Sequence, residues 1–364
     1  MNTLGEPISG GQGRRAQDDL VYQSDDAIDL GKINALLQQA RERSGQSQET
    51  VTTLNLVAIY FTQAQYESAR AALEVAGSVH PCRLVVLIAD ESIAQGAVTA
   101  RVSVVRSAGA ITLERVVLNA TGHAVRHLES AMDGLLLPEL PMVVVWGGRP
   151  HGDLLQGAVE KADRIIIDSG ARPPTYLAET ASLLAAGAPI GDLAWARIFP
   201  WQGIAAEVLD LPNLREHRGN IRTARVVCAQ APGAEGALLA GWLAARVPKI
   251  KIELVAEGQA EAPGAPPAAA GAADKPLPSE AMTLGQIAHF EFSAPPATFR
   301  FRREKSILVA EVQGDDDGEV VHRVRLPPDQ PGRLLGLELK LLSGIDDLYA
   351  QAVQAGVKLL GTAK

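Results

Sequence analysis

Four short stretches constrain this chain most: residues 54–61 (LNLVAIYF), 82–89 (CRLVVLIA), 142–146 (MVVVW) and 164–168 (RIIID). Each has strand length and is nearly all apolar. A strand with one wet face alternates polar and apolar residues, whereas a continuous apolar run needs cover on both faces. The segments between them carry helical spacing, as at Tyr66, Ala69, Leu73 and Ala76 within residues 63–77, and again over 154–162 and 175–186. Strand and helix in repeated succession predict an α/β fold, with a mainly parallel or mixed sheet covered by helices.

Other stretches follow different rules. Residues 98–105 and 112–118 come closer to alternating, which predicts an antiparallel pair at the sheet edge. Ile28, Ile33, Leu36 and Leu37 predict a short early helix, and a helix over 122–136 precedes Pro138 and Pro141. Residues 192–211 read as a helix interrupted at Pro200, which lacks a backbone donor. A strand (221–229), a helix (235–247) and a strand (250–255) follow. Of the 24 residues 257–280, 16 are Ala, Gly or Pro, a composition that buries too little to offset ordering and therefore reads as a linker. Beyond it, residues 283–292, 298–312 and 319–326 predict three strands, with GDDDG (314–318) as the clearest turn. A long helical region from about residue 331, with Gly344 as a bend, closes the chain.

The expected organisation is a disordered tail (1–26), then an α/β region (27–256), as one unit or as two subdomains dividing near 138–141. The linker (257–280) leads to a smaller α+β region (281–364) with antiparallel strands and a long C-terminal helix. Aromatic residues are only 4% of the chain, so an aliphatic core is expected. The net charge of −8 offers no default footprint for nucleic acid or anionic membranes. No apolar run reaches the roughly 20 residues that span a bilayer, and residues 1–20 lack the apolar core of a signal peptide. The cytoplasm is the expected compartment. Cys82 and Cys228 share no metal or redox spacing and read as small buried hydrophobes.

Motifs that carry chemistry are missing. GxGxxG follows no strand, and GxxxxGK[ST] does not occur. The glycines nearest to a phosphate loop, in residues 232–236 (PGAEG) and at Gly147-Gly148, equally suit tight turns. His123 and His127 stand four apart without the glutamate of HExxH or a third ligand. Asp315, Asp316 and Asp317 lack the final glutamate of a calcium loop. Ser169, beside Asp168 at a strand end, has no GxSxG elbow around it. No catalytic residue, metal or cofactor is therefore expected. Recognition chemistry is densest at residues 191–201, where two of the four tryptophans, Trp195 and Trp201, flank Arg197 behind the N-cap candidate Asp192. With Trp146 and Asp168 at strand ends, these six residues are the candidate partner-binding set.

Several motifs stand together in a recognisable order: MVVVWGG (142–148), ADRIIIDS (162–169), DLAWARIFPW (192–201), GNIRTARVV (219–227) and LLAGWLAARV (238–247). In this order they resemble the OpcA family of glucose-6-phosphate dehydrogenase assembly factors, and the resemblance covers residues 28–255 best. It implies a protein without chemistry of its own, which binds glucose-6-phosphate dehydrogenase, promotes its active oligomer and raises its activity in the oxidative pentose phosphate pathway. In photosynthetic members that activity is tied to thiol redox state. Here the position beside the second β ribbon where family members often carry a cysteine reads Leu113-Glu114, so redox control is not expected. The alternative is a sugar-phosphate-binding or -processing protein using the strand ends near Trp146 and Asp168.

Overall fold

All seven residues of Leu54–Tyr60 (β2) are buried, and the larger sheet is built around them. The computed structural model describes residues 20–24, 28–43, 52–107, 110–149, 152–170, 172–258, 284–314, 319–341 and 346–362. The eight-stranded sheet has the order β1-β4-β5-β3-β2-β6-β7-β8. Its strands are β1 (Leu20–Ser24), β2, β3 (Cys82–Asp90), β4 (Ala97–Ser107), β5 (Ala110–Thr121), β6 (Met142–Trp146), β7 (Arg164–Ile167) and β8 (Ile190–Asp192). From β5 to β8 all neighbours are parallel, with Val57 opposite both Val85 and Val144. β4 runs antiparallel between β1 and β5.

Alternate residues of each strand serve the two faces. Leu56, Ala58, Leu84 and Val86 face α2 (Gln63–Val79) and α8 (Pro331–Glu338). Val57, Ile59, Val85 and Leu87 join the core beneath α1 (Leu30–Arg43), α3 (Leu128–Asp133), α4 (Asp153–Lys161) and α5 (Pro174–Ala185). Both faces are covered, as the all-apolar runs require.

A second, six-stranded sheet has the order β10-β9-β11-β12-β13-β14. It comprises β9 (Thr223–Cys228), β10 (Lys251–Ala256), β11 (Ile287–Ala294), β12 (Ala297–Glu304), β13 (Ile307–Gln313) and β14 (Glu319–Arg325). β9 and β10 are parallel and linked through α7 (Ala234–Arg246), whereas β11–β14 form an antiparallel meander. One face packs on α6 (Leu193–Asp210) and α7. The opposite face carries a transverse row of alternating charge, Glu253, Arg225, Glu291, Arg300 and Glu311, each residue in register with the next. Cross-strand pairs of opposite sign stabilise such a surface. α9 (Asp347–Thr362) packs against both α5 and α7 and so ties the two sheets together.

Several expectations are corrected. Residues 20–24 are not part of a disordered tail; Leu20 and Tyr22 lean on the core from an edge strand, while residues 1–19 lie outside the described residues. The antiparallel pair is not at the edge, because β1 adds outside it. No subdomain break occurs near 138–141, since β6 pairs directly with β2 across it. β9 and β10 do not belong with the first sheet; β9 pairs with β11, so the second sheet takes strands from both sides of residues 259–283. Those residues, which contain most of the expected linker, lie outside the described ones, as do 315–318 and Gly344.

The region 122–136 is a 3-10 turn (Gly122–His127) followed by the short α3, not one helix. α6 runs unbroken through Pro200, held by buried Trp195, Ile198, Trp201, Ile204 and Val208 on either side of it. Residues 298–312 are two strands, reversing at Lys305, which takes a φ of 53°. The C-terminal helical region is two helices, α8 and α9. The core is mostly aliphatic as expected, and the second sheet adds an aromatic cluster to it. Four of the six phenylalanines form cross-strand stacks there, Phe290 on Phe301 at 4.5 Å and Phe292 on Phe299 at 4.8 Å.

Candidate functional site

β8 ends where α6 begins, and Asp192 occupies the junction. Its carboxylate caps α6 by accepting from the Ala194 amide at 2.9 Å. It also accepts from the Ser169 amide (3.0 Å), the Ser169 hydroxyl (2.6 Å) and the Tyr349 hydroxyl (3.0 Å). The group is fully buried. Burial pushes its pKa up to about 6, against the pull of the Ser169 bonds and with help from the nearby charge of Asp168.

Arg197 reaches the same junction from α6. Its guanidinium grips Asp168 through two bonds of 2.7 Å, donates from Nε to Asp329 at 3.0 Å, and lies 3.9 Å from Glu235. Burial works against its charge, and Asp168, Asp329 and Glu235 together more than compensate, raising its pKa. Gly170 permits the approach: a Cβ there would stand 2.8 Å from Arg197 Nη1. Glu235, in the first turn of α7, is pushed up to about 7 by burial, opposed by Arg197 and reinforced by Asp329, Asp168 and Asp192. One arginine thus joins the end of β7, α6, the start of α7 and the segment ahead of α8.

The three tryptophans of the candidate set face inward. Trp146, Trp195 and Trp201 are 3%, 4% and 5% exposed. Trp146 donates to the Arg149 carbonyl at 2.7 Å and meets Phe61 edge-on. Trp195 donates to Asp346 at 3.1 Å and leans on Tyr349. Trp201 rests edge-on against Phe290 of the second sheet. What residues 192–201 present to solvent is Phe199, 38% exposed. The structure therefore brings Asp168, Asp192, Trp195 and Arg197 into one cluster, with Trp146 and Trp201 in the adjoining core. Sequence reasoning missed Ser169 as a bonded partner, together with Glu235, Asp329 and Tyr349; the last three are remote in the chain and carried no local signal.

Because Arg197 binds three elements, it is a structural member of this cluster. Arg197→Ala is expected to destabilise the protein by about 2 kcal/mol, below the cost of breaking a wholly buried pair because Asp168 retains solvent access. A urea midpoint equal to that of the unaltered protein would show that the cluster contributes no stability.

The carboxyl ends of parallel strands are where open α/β sheets hold ligands. Here a cavity of about 270 Å³ lies beside β2, β6 and β7, lined chiefly by apolar groups such as Leu73, Val145, Ile166 and Leu335. Arg172 at its rim is committed to the Gly147 carbonyl at 2.7 Å. The close approaches that Gly147 and Gly148 permit are taken by the chain's own rings: a Cβ at either would stand 2.4 Å from Tyr60 or 2.3 Å from Phe61. Among the described residues no group of three or more His, Cys, Asp or Glu could hold a metal ion. No helix among them is long and apolar enough to cross a membrane. Burial pushes the Cys82 thiol up to about 12 and the Cys228 thiol to about 11, which leaves little thiolate for exchange.

Comparison with known proteins adds the following. Residues 74–182 match the family model described as the glucose-6-phosphate dehydrogenase subunit N-terminal domain, and residues 188–353 match that of the C-terminal domain. A protein of Synechocystis sp. named "Putative OxPP cycle protein OpcA" is 30% identical over 178 residues, 46% of this chain and 37% of that protein. Its namesake in Nostoc punctiforme is 29% identical over 177 residues, 46% of this chain and 38% of that protein. The alignments thus span less than half the length of these relatives. Among solved structures, a 3-ketoreductase from Actinomadura kijaniata gives a TM-score of 0.45 at 10% identity, covering 86% of this chain and 98% of that one. An aldose-aldose oxidoreductase from Caulobacter crescentus gives 0.40 at 10% identity, with 85% and 98% covered. Likeness at this level carries no argument about activity.

Proposed function

The chain belongs to the OpcA family, and from that premise we propose that it is a non-catalytic assembly factor and allosteric activator that binds glucose-6-phosphate dehydrogenase and promotes its active oligomer. It would thereby support the oxidative pentose phosphate pathway, in the cytoplasm, without a nucleic-acid or membrane partner. The observation that carries the non-catalytic reading is the state of the strand ends. Asp168 and Asp192, at the position where an α/β enzyme keeps reacting groups, are bound to Arg197 and to Ser169, Ala194 and Tyr349. A group saturated in this way is a poor acid, base or nucleophile, because each role needs a free lone pair or proton aimed at substrate. A sugar-phosphate role finds less support, since the adjoining cavity is chiefly apolar and its Arg172 is committed.

In this reading the six candidate residues act from beneath the surface. Trp195 and Trp201 set the position of α6, Trp146 packs the neighbouring end of β6 against Phe61, the Arg197 and Asp192 bonds lock α6, and Phe199 is its outward apolar group. The test is to mix the purified chain with purified glucose-6-phosphate dehydrogenase. A higher specific activity together with a larger sedimenting complex is expected. Unchanged turnover with independent sedimentation would overturn the proposal.

A further inference from the structure

A cleft of about 740 Å³ opens between α6 and the end of the second sheet, beyond the Arg197 cluster. Its floor is apolar, formed by groups such as Trp201, Ile287, Leu326 and Leu334, and its rim carries Arg303, Lys305, Arg325 and Arg333. The meander gathers three of these cations. β12 and β13 reverse at Lys305, whose left-handed backbone (φ 53°) makes the turn, and Arg303 lies two residues before it. Arg325 ends β14 opposite Ile307, fixed there by the Leu326 amide donating to the Ser306 carbonyl at 2.8 Å. Arg333 joins from the first turn of α8.

None of the four has a carboxylate within ion-pair distance among the described residues; Arg303 donates only to the Lys305 carbonyl. Two acids do line the cleft, Asp329 and Glu235, but both bear on Arg197 at one end of it. Four exposed cations gathered without a carboxylate partner among the described residues, in a chain of net charge −8, repel one another unless an anion comes between them.

We propose that this cleft binds a small, multiply charged anion of the phosphorylated-metabolite class. The volume falls within the range of small-molecule clefts, roughly 300–1,000 Å³. Guanidinium groups suit phosphate because their planar forks donate two parallel bonds. The apolar floor suits the carbon skeleton such a metabolite carries. The site concerns this chain alone, so its test is independent of any effect on the dehydrogenase.

The test is calorimetric titration of the full chain with inorganic pyrophosphate at low and moderate salt, together with the Arg325→Ala/Arg333→Ala double variant. Both side chains are exposed and have no ion-pair partner among the described residues, so the variant is expected to melt with the unaltered protein. Lys305→Gln provides a second variant should it not. Saturable binding is expected, weakened about tenfold or more by the double substitution, since each charge-assisted bond lost is worth about that factor. Arg101→Ala/Arg246→Ala, an equal change of charge elsewhere, is expected to alter binding less than twofold, about the size of a diffuse field effect. Three results would each overturn the proposal: no saturable binding, equal weakening by both double variants, or preference for hexaglutamate over pyrophosphate.

Discussion

Arg164→Ala is expected to cost about 3–5 kcal/mol of folding stability, the range for removing one partner of a buried ion pair. Arg164 starts β7 and Glu338 ends α8, with 4% and 1% of their side chains exposed. Both Nη2 (2.6 Å) and Nε (3.2 Å) donate to the same Glu338 oxygen. The pair pins α8 to the opposite end of the sheet from the Arg197 cluster, and His80 reinforces it by bonding the Gly336 carbonyl at 2.9 Å. Burial already pushes the Glu338 pKa up, and Arg164 opposes that shift. Without the arginine, the carboxyl has to protonate or draw water into the layer. The control is Arg164→Met combined with Glu338→Leu. Replacing a whole buried pair by apolar groups is often neutral, so the double variant should recover most of the loss. A single variant with an unchanged urea midpoint would show that α8 is held by its apolar contacts alone.

Glu235→Gln is expected to flatten the pH dependence of stability between about pH 4 and pH 8 by on the order of 3 kcal/mol, the worth of a carboxyl raised from its ordinary value near 4.3. Glu235 titrates at about 7 in the folded protein. Between the two values the folded state holds a proton that the unfolded chain has released. The contribution is therefore complete below about pH 4 and is lost as pH rises through about 7. Asp192, pushed up to about 6, works in the same direction. The groups facing Glu235 are Arg197, which favours its charge, and Asp329, Asp168 and Asp192, which oppose it. Glutamine keeps the shape and removes the proton equilibrium, so the variant should equal or exceed the unaltered protein at pH 8 and gain less on acidification. Parallel stability–pH curves would mean that Glu235 is ordinarily ionised and well solvated.

The central layer was legible in the chain because LNLVAIY is too short for a buried helix and rich in β-branched and aromatic residues, which points to a strand covered on both sides. Asp192 was legible as a cap, since an acid ahead of an apolar helical stretch has a local mechanism. Elements that depend on remote pairing were not. β8 is three residues long, too short for any period to register. The reversal at Lys305 uses no glycine or asparagine, so nothing local marks it. β9 and β10 looked like further strands of the first sheet because periodicity says how a strand is covered and not which neighbour it pairs with. Nothing local marks Glu114 or Glu338 as a buried acid. The structure buries both, Glu114 between Arg41 and Arg83 and Glu338 against Arg164. The tryptophans were ambiguous for a related reason. Residue type favours an interface or a core about equally, and only the packing against Phe61, Tyr349 and Phe290 decides.

The bonds made by α9 and the residue ahead of it bear on how the protein is completed during synthesis. Tyr349 supplies one of the four donors to Asp192, and Asp346 accepts from Trp195. Both come more than 150 residues after their partners. A ribosome that has released residues 1–345 has delivered every strand of both sheets, yet the Asp192 cap is one donor short and the Trp195 indole lacks its acceptor. Contacts of such long range form late, because the intervening chain must close first. The α6 junction therefore reaches its final bonding only once α9 is free to dock, and a nascent chain stalled before that point would carry this buried polar cluster unfinished.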